Sequence, residues 1–192
     1  MNVQQIYRPL WVSGRYSPEK SVAIAYNLIR GESFFFKNFM QQNESYLIRK
    51  YLSADKVAVL NLIKLNTPAF FAEEEMEDLS TYLDKEVELY YVLLVDGEIV
   101  GCGGINFAEN KTIGRISWDM IHPAFQGKSL GKKLLKHRLE VLRSIPTVQK
   151  ITVRTSQVAY KFYEKQGFVL NEIKKNYWAE GFDMYNMAYE GL

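Results

Sequence analysis

Apolar and polar residues follow the periods of strands and helices from residue 46 onward. Residues 46–50 are a predicted strand, and Ser53-Ala54-Asp55 opens a helix. A second helical stretch, rich in glutamate, runs over residues 73–83. The apolar residues of the first helix lie close to helical spacing, which predicts its buried face. They are Val57, Leu60, Ile63 and Leu65.

A hairpin signal and six further segments complete the predicted element order. Residues 88–95 and 98–107 are predicted strands joined by the turn pair Asp96-Gly97. The remaining predicted elements are a strand at 114–121, a helix at 130–143, a strand at 150–155, a short helix at 158–166 and strands at 168–176 and 182–189. The resulting order, β-α-α-β-β-β-α-β-α-β-β, predicts a mixed α/β layer fold.

Residues 1–45 differ from the rest of the chain and form a predicted N-terminal extension of unknown role, ahead of a domain over residues 46–192. Ser17-Pro18 is a good helix start because proline is favoured at the first helical position. Residues 34–36 are consecutive phenylalanines, and this apolar run is expected to pack on the main domain or on another subunit.

The composition is that of a globular protein, with 47% hydrophobic and 24% charged residues among 192. It excludes disordered and collagen-like chains, and the length suits one ordinary domain with an extension. The single cysteine, Cys102, excludes a disulfide framework, and two histidines are too few for most zinc sites, so no metal is expected. Without an apolar run of roughly 20 residues or a signal-peptide core, we expect a soluble cytoplasmic protein with no membrane partner.

Charge is unevenly distributed although the net charge is only +2. Residues 73–119 contain twelve acidic and three basic residues, whereas residues 128–175 contain twelve basic and three acidic ones. These regions are either solvated faces of opposite sign, or a basic half that binds an anion and an acidic half that accepts a cation. No basic stretch interleaved with aromatic residues forms a recognition motif, so a nucleic-acid partner is not expected.

Residues 119–134 hold the most informative chemistry: a strand end, a glycine-bearing loop and a basic amphipathic helix. Such a loop directs several backbone N–H groups and the positive end of the helix dipole at one point, which suits a phosphate or pyrophosphate. Gly127 and Gly131 allow close backbone approach, and neighbouring lysines add positive charge. The alternative is a glycine-rich helix start without a ligand.

Two motifs in this part of the chain resemble those of the GNAT-type N-acetyltransferases. Residues 126–131, Gln-Gly-Lys-Ser-Leu-Gly, resemble the family's Gln/Arg-x-x-Gly-x-Gly/Ala loop, with Ser129 where glycine is usual. A backbone in the helical region would keep the Ser129 amide available. Residues 156–168 resemble the family's Asn-x-x-Ala-x-x-x-Tyr-x-x-x-Gly-Phe signature, with Ser156 in place of asparagine. The resemblance extends over residues 46–189.

The resemblance implies the acyl-CoA N-acyltransferase fold, an α/β (α+β) fold with a mixed, mostly antiparallel central sheet of six or seven strands flanked by helices. In that fold the strands that end at Ile121 and Thr155 splay apart. Acetyl-CoA is the co-substrate, its pantetheine arm lies between these strands, and the loop backbone takes its pyrophosphate. The residues implied to bind acetyl-CoA are Met120, Ile121, His122, Gln126, Gly127, Lys128, Ser129, Leu130, Gly131, Lys132, Ser156 and Tyr160.

The resemblance also implies how catalysis is divided among side chains. Tyr163 matches the family tyrosine that donates a proton to the leaving thiolate, the alternative being a core aromatic residue. Asp119 is the candidate general base, provided that strand alternation turns it toward the cleft. Asp183 and the glutamates at 73–75 are the other candidates. Cys102 is expected to be a small buried apolar residue.

The expected function is therefore an acetyl-CoA-dependent N-acetyltransferase. It would transfer an acetyl group from acetyl-CoA to a primary amine of a small molecule or peptide by direct attack. The acidic region favours a cationic acceptor such as a polyamine, an aminoglycoside-like sugar, an amino acid or a peptide N-terminus. The alternative is a non-catalytic acyl-CoA-binding regulatory or sensor protein, which Ser129 and Ser156 motivate. A homodimer is a further expectation.

Overall fold

The computed structural model describes residues 46–192. The predicted extension, residues 1–45, lies outside the described residues. Within the described part of the chain, no helix is both long enough and apolar enough to cross a membrane.

Residues 46–192 form seven strands and four α-helices in the predicted order, which confirms the mixed, mostly antiparallel sheet flanked by helices. The strands are β1 Tyr46–Lys50, β2 Leu89–Val95, β3 Glu98–Ala108, β4 Ile113–Ile121, β5 Lys150–Ser156, β6 Phe168–Ala179 and β7 Phe182–Tyr189. The α-helices are α1 Lys56–Asn66, α2 Glu75–Lys85, α3 Leu130–Arg143 and α4 Tyr160–Glu164.

The strands lie in the order β1-β2-β3-β4-β5-β7-β6, and only β4 and β5 pair in parallel. Asp96 and Gly97 turn the β2–β3 hairpin with φ angles of 50° and 87°, the left-handed pair that a type I′ turn requires. Helix α3 connects β4 to β5, because parallel neighbours need a crossover rather than a tight turn.

Helices cover both faces of the sheet. Helices α3 and α4 pack on one face, where Ile116, Ile151 and Val153 join the leucines of α3 in one buried cluster. Helices α1 and α2 cover the other face through a second cluster that includes Cys102 and Met120. Since a fully buried side chain of this size contributes about 1.5–3 kcal/mol, the two clusters fix the face that each strand residue occupies.

The buried face of α1 differs from the predicted one. Ile63 is buried as expected, but Val57 is 80% exposed and Leu65 is 42% exposed. Adjacent helical residues are about 100° apart, so the apolar run offers two overlapping stripes, and packing on the sheet selects the one that ends at Asn66. The inward residues are Val59, Leu62, Ile63 and Asn66.

Two valines in α1 test this face. They are two residues apart, one is buried and the other exposed, and the same substitution by alanine can be made at both. Val59→Ala is expected to lower the free energy of unfolding by about 2 kcal/mol, since Val59 is 0% exposed. Val57→Ala, at an 80% exposed position, is expected to change it by less than about 0.5 kcal/mol. Urea denaturation followed by circular dichroism measures both variants, and equal losses would contradict the observed face.

Candidate active site

Strands β4 and β5 pair at one end and separate at the other, as the resemblance implied. Their parallel pairing ends at Ile116 and Val153, beyond which β4 continues to Ile121 and β5 to Ser156. The gap between the strands belongs to a cavity of about 730 Å³. The loop before α3, the loop between α1 and α2, and the β6–β7 hairpin also line this cavity.

A bulge in β4 decides which side chains face the gap. Strands β3 and β4 are in register at Ser117 and again at Met120, but β4 has one more residue than β3 between these positions. Trp118 has a φ of 50°, an uncommon conformation for a bulky side chain. Strict alternation would place Asp119 on the same face as Ser117, toward α2, whereas the bulge turns it toward α3.

Three side chains meet where the bulge turns Asp119. The Tyr163 hydroxyl on α4 donates to Asp119 Oδ2 at 2.5 Å. The Arg138 guanidinium on α3 forms an ion pair with Asp119 Oδ1 and donates to the Gly104 carbonyl at 3.2 Å. Arg138 is 1% exposed and Tyr163 is 4% exposed, so the carboxylate lies between a buried cation and a buried phenol. The two predicted catalytic residues therefore form one hydrogen-bonded unit.

The surroundings shift the pKa values of both partners of Asp119. Burial and the Asp119 charge raise the pKa of Tyr163 well above its usual value near 10, and Arg138 opposes this only in part. Burial by itself lowers the pKa of Arg138, but the Asp119 carboxylate outweighs burial and the pKa is raised. At neutral pH Arg138 is therefore charged and Tyr163 is protonated.

Arg138 and Gly103 complete this unit, and the sequence interpretation missed both. Arg138 falls midway between Leu134 and Leu142 in the buried stripe of α3. A charged residue within the apolar stripe of a helix is the signal that could have revealed a buried ion pair. On β3, a Cβ atom at Gly103 would collide with Asp119 Oδ1 and the Arg138 guanidinium, so glycine leaves the space that the ion pair occupies.

The loop before α3 presents backbone amides to the cavity. The first hydrogen bond of α3 runs from the Lys133 amide to the Ser129 carbonyl at 3.1 Å. The amides of Leu130, Gly131 and Lys132 precede that bond and have no intrahelical acceptor. Amides in this arrangement, at the positive end of a helix dipole, suit an anion such as a pyrophosphate.

Ser129 is the N-cap of α3 and has a left-handed backbone, with φ of 62° and ψ of 10°. A right-handed helical conformation is therefore not the one that this serine adopts. The left-handed conformation disfavours residues with a Cβ atom by about 1–2 kcal/mol. This strain explains why the loops that residues 126–131 resemble usually have glycine at this position.

Gln126 joins the loop to two other elements instead of pointing at the helix start. Its Nε2 donates to Asn66 Oδ1 at 3.0 Å and to the Ile121 carbonyl at 3.1 Å. Asn66, which is 3% exposed at the end of α1, donates through Nδ2 to the same carbonyl at 3.2 Å. The end of α1, the end of β4 and the loop are thus held together by one amide network, which the sequence interpretation did not foresee.

The other residues implied to bind acetyl-CoA fall into two groups. Three are not among the residues that line the cavity. Of these, His122 accepts through Nδ1 from the Ala124 amide at 3.1 Å, Lys128 lies over the Phe125 ring, and Tyr160 stacks on Tyr185. The lining residues of the implied set are Met120, Ile121, Gln126, Gly127, Ser129, Leu130, Gly131, Lys132 and Ser156.

Asp183 and Glu75, two of the alternative base candidates, form their hydrogen bonds with groups other than Asp119. Asp183 accepts hydrogen bonds from the Asn176 amide at 3.0 Å and from Lys175 Nζ at 2.6 Å, so it holds the β6–β7 hairpin together. Of the glutamates at 73–75, Glu75 alone lines the cavity, and burial raises its pKa.

Cys102 is 0% exposed, and burial raises its pKa to about 12. Within residues 46–192, no group of three or more His, Cys, Asp or Glu side chains could hold a metal ion.

The sequence and the fold are both similar to those of known proteins. The model of the Acetyltransferase (GNAT) family matches residues 57–168. No curated protein sequence matches the chain significantly.

The solved structures that are similar to this chain share its fold at low sequence identity. A GNAT-family protein from Desulfovibrio desulfuricans is 19% identical, with a TM-score of 0.67 over 76% of this chain and 99% of its own. The ribosomal-protein-S18-alanine N-acetyltransferase from Escherichia coli is 20% identical, with a TM-score of 0.62 over 77% of this chain and 99% of its own. An aminoglycoside 6′-N-acetyltransferase complexed with coenzyme A is 15% identical, with a TM-score of 0.61 over 74% of this chain and 95% of its own.

The left-handed residue in the loop gives a stability prediction. Ser129→Gly is expected to raise the free energy of unfolding by about 1 kcal/mol, because glycine adopts this conformation without Cβ strain. Ser129→Ala keeps the Cβ atom and is the matched control, with stability close to that of the original protein. Chemical denaturation measures all three proteins. A Ser129→Gly protein no more stable than the Ser129→Ala protein would show that the loop is not strained.

Proposed function

The chain belongs to the acetyltransferase (GNAT) family, and from this premise we propose that it transfers the acetyl group of acetyl-CoA to a primary amine of a small molecule or peptide by direct attack. The observation that supports the proposal is the hydrogen bond from Tyr163 to Asp119. It joins a proton donor to a proton acceptor at the gap between β4 and β5. The fold does not fix the acceptor, since the structural neighbours are named for amines as different as a ribosomal-protein alanine and an aminoglycoside.

The loop before α3 is the proposed binding site for acetyl-CoA. This co-substrate supplies an acetyl group activated as a thioester, with a thiolate as the leaving group. The amides of Gly131 and Lys132 would bind its pyrophosphate, and the Lys132 side chain adds positive charge. A Cβ atom at Gly131 would lie 3.6 Å from Ile121 and Phe162, so a longer side chain there would enter the space proposed for the pyrophosphate.

Asp119 and Tyr163 act in this proposal as a proton relay. The amine attacks in its neutral form and must lose one proton as the amide forms, and the leaving sulfur must gain one. Asp119 Oδ2 accepts the proton of the amine, and Tyr163 Oη gives its own proton to the sulfur. Asp119 then passes the proton that it received to Tyr163 along their 2.5 Å hydrogen bond. Both side chains finish in the protonation state in which they began.

The raised pKa of Tyr163 favours this relay over donation by the tyrosine alone. A thiol has a usual pKa of about 8.5, so proton transfer from an isolated Tyr163 to a thiolate is uphill. The proton that Asp119 has received lies on the hydrogen bond to Tyr163 and replaces the Tyr163 proton as it leaves. Arg138 is a positioning residue in this scheme, because it is 1% exposed and holds the Asp119 carboxylate in place.

The alternative function, a non-catalytic acyl-CoA-binding sensor, predicts binding without turnover. It gives the hydrogen bond from Tyr163 to Asp119 no chemical role, although a buried ion pair such as that of Asp119 and Arg138 is itself only weak evidence of net stabilisation. We therefore favour the enzyme, and the next two experiments separate the two functions.

Calorimetric titration with acetyl-CoA tests the proposed binding site. We expect a dissociation constant on the order of micromolar, and Gly131→Glu should weaken binding by roughly 100-fold because its carboxylate repels the pyrophosphate. Gly131→Ala, whose Cβ atom makes ordinary 3.6 Å contacts, is the matched control for folding. No binding by the original protein would contradict the proposal. Binding without acetylation of any amine would favour the sensor.

Tyr163→Phe and Asp119→Asn test the relay. Each is expected to lower kcat by about 100-fold or more while leaving the affinity for acetyl-CoA within about twofold, since neither residue is proposed to hold the co-substrate. Because the two act as one unit, the double variant should lose no more activity than the more impaired single variant. Formation of acetylated amine at saturating acetyl-CoA gives the rates. Additive losses would contradict the relay, and equal loss of affinity and turnover would indicate a structural role.

A further inference from the structure

The side of the cavity away from α3 has aromatic walls. Phe71 and Trp118 stack with ring centroids 6.4 Å apart and planes 19° apart. Across the cavity the β6–β7 hairpin contributes its own aromatic side chains. These walls suit a flat or bulky apolar group on the acceptor. The aromatic lining residues on this side are Phe70, Phe71, Trp118, Trp178 and Phe182.

Two arginines face the same side of the cavity from neighbouring strands. Ile116 and Val153 pair with each other and face α3, so the adjacent residues Arg115 and Arg154 face the opposite side of the sheet. Arg115 is opposite Thr152 in the parallel register, which places the Cα atoms of the two arginines about 8 Å apart. Both arginines line the cavity.

Among the carboxylates of residues 46–192, none forms an ion pair with either arginine. Arg154 donates through Nη1 to the Tyr177 hydroxyl at 3.1 Å, and its guanidinium lies 5.6 Å from the centre of the Trp178 ring. The Arg115 guanidinium forms no ion pair within residues 46–192. By contrast, Arg49 on β1 is paired with Asp55. Two unpaired positive charges in one cavity create a potential that attracts an anion.

The carboxylates of the cavity do not cancel this positive charge. Among the described residues that line the cavity, Asp119 and Glu75 are the acidic ones. Asp119 is already paired with Arg138. Burial raises the pKa of Glu75, so its charged form is disfavoured, and its Oε1 accepts a hydrogen bond from the Ala72 amide at 2.9 Å. The acceptor side of the cavity therefore carries a net positive charge.

We propose that the acceptor is a primary amine that also carries a carboxylate, on an apolar and preferably aromatic body. The inference rests on the proposed function, because it names the substrate class of the same site. The amine would face Asp119, the body would lie between the aromatic walls, and the carboxylate would bind Arg115 and Arg154 through charge-assisted hydrogen bonds. Of the acceptors that the acidic region suggested, this class keeps the amino acid and disfavours the polyamine and the aminoglycoside-like sugar, because Glu73 and Glu74 are exposed to solvent and do not line the cavity.

Two matched pairs of amines test the carboxylate. L-phenylalanine is compared with L-phenylalaninamide, and para-(aminomethyl)benzoate with benzylamine, so that both short and long separations of amine and carboxylate are sampled. Binding is measured by calorimetry with coenzyme A present, and turnover is measured with acetyl-CoA. In one pair or both, the amine that carries a carboxylate should bind more tightly than the matched amine that lacks it, by about tenfold or more. Spermidine, a polycation, should bind more weakly than that carboxylate.

Arginine variants locate the effect. Arg115→Gln and Arg154→Gln should each reduce the preference for the amine with a carboxylate about fivefold or more, while leaving the affinity for the partner amine without a carboxylate within about twofold. Lys136→Gln, on α3 and 74% exposed, removes a positive charge away from the cavity and should change neither affinity.

The binding readout separates this inference from the proposed function. Preferred binding of the carboxylate that depends on both arginines supports the inference, whether or not acetylation follows. Absence of acetylation would then overturn the proposed function alone. Equal binding within both pairs, tighter binding of spermidine, or a preference that survives both arginine variants would overturn the inference.

Discussion

The ion pair between Arg138 and Asp119 couples the helical layer to the sheet at the point where the sheet opens. Arg138 is 1% exposed, so loss of Asp119 would leave a buried charge without solvent or a counterion, a change that costs about 3–5 kcal/mol. Three features of the chain are therefore interdependent: the bulge at Trp118 that turns the carboxylate, the glycine at 103 that leaves it space, and the position in α3 that brings the guanidinium. None of the three has an evident purpose without the other two.

The ion pair also separates two chemically different regions of one cavity. On the α3 side the chain offers backbone amides and a helix dipole, which suit the phosphates proposed for the co-substrate. On the opposite side it offers aromatic rings and two guanidinium groups. Tyr163 and Asp119 lie between these regions, where the proposed relay exchanges protons between the two substrates. The network of Asn66, Gln126 and the Ile121 carbonyl keeps α1 and the loop at a fixed separation.

Local signals predicted the order of the elements well because periodicity and turn chemistry agree along most of the domain. Asp96-Gly97 between two apolar strands is one such case, and the leucines of α3 are another. The prediction of the buried face of α1 was wrong in part, because the apolar run of this helix contains two overlapping stripes. Only packing on the neighbouring sheet distinguishes them.

The site was harder to predict because its contacts depend on distant elements. The sequence identified Asp119 and Tyr163 separately, but their hydrogen bond depends on a bulge in β4. The residue types near Trp118 give no signal that predicts this bulge. Arg115 and Arg154 become neighbours only through the parallel register of β4 and β5, which a single sequence does not specify. Pairing between strands and the position of a bulge are therefore the information that the pattern of residues lacks.

The buried cysteine on β3, which pairs with Met120 of β4, has a practical consequence for the chemistry. Cys102 is the only cysteine of the chain, is 0% exposed, and has a pKa raised to about 12 by burial. A neutral and buried thiol is a poor nucleophile, so Cys102 is not expected to form a covalent acyl-enzyme intermediate. For the same reason, the Cys102 thiol of the folded protein is not expected to react with coloured disulfide reagents. With a thiol-free amine, coenzyme A released by the native protein would be the sole reactive sulfhydryl in solution, and a colour change would count turnovers as they occur.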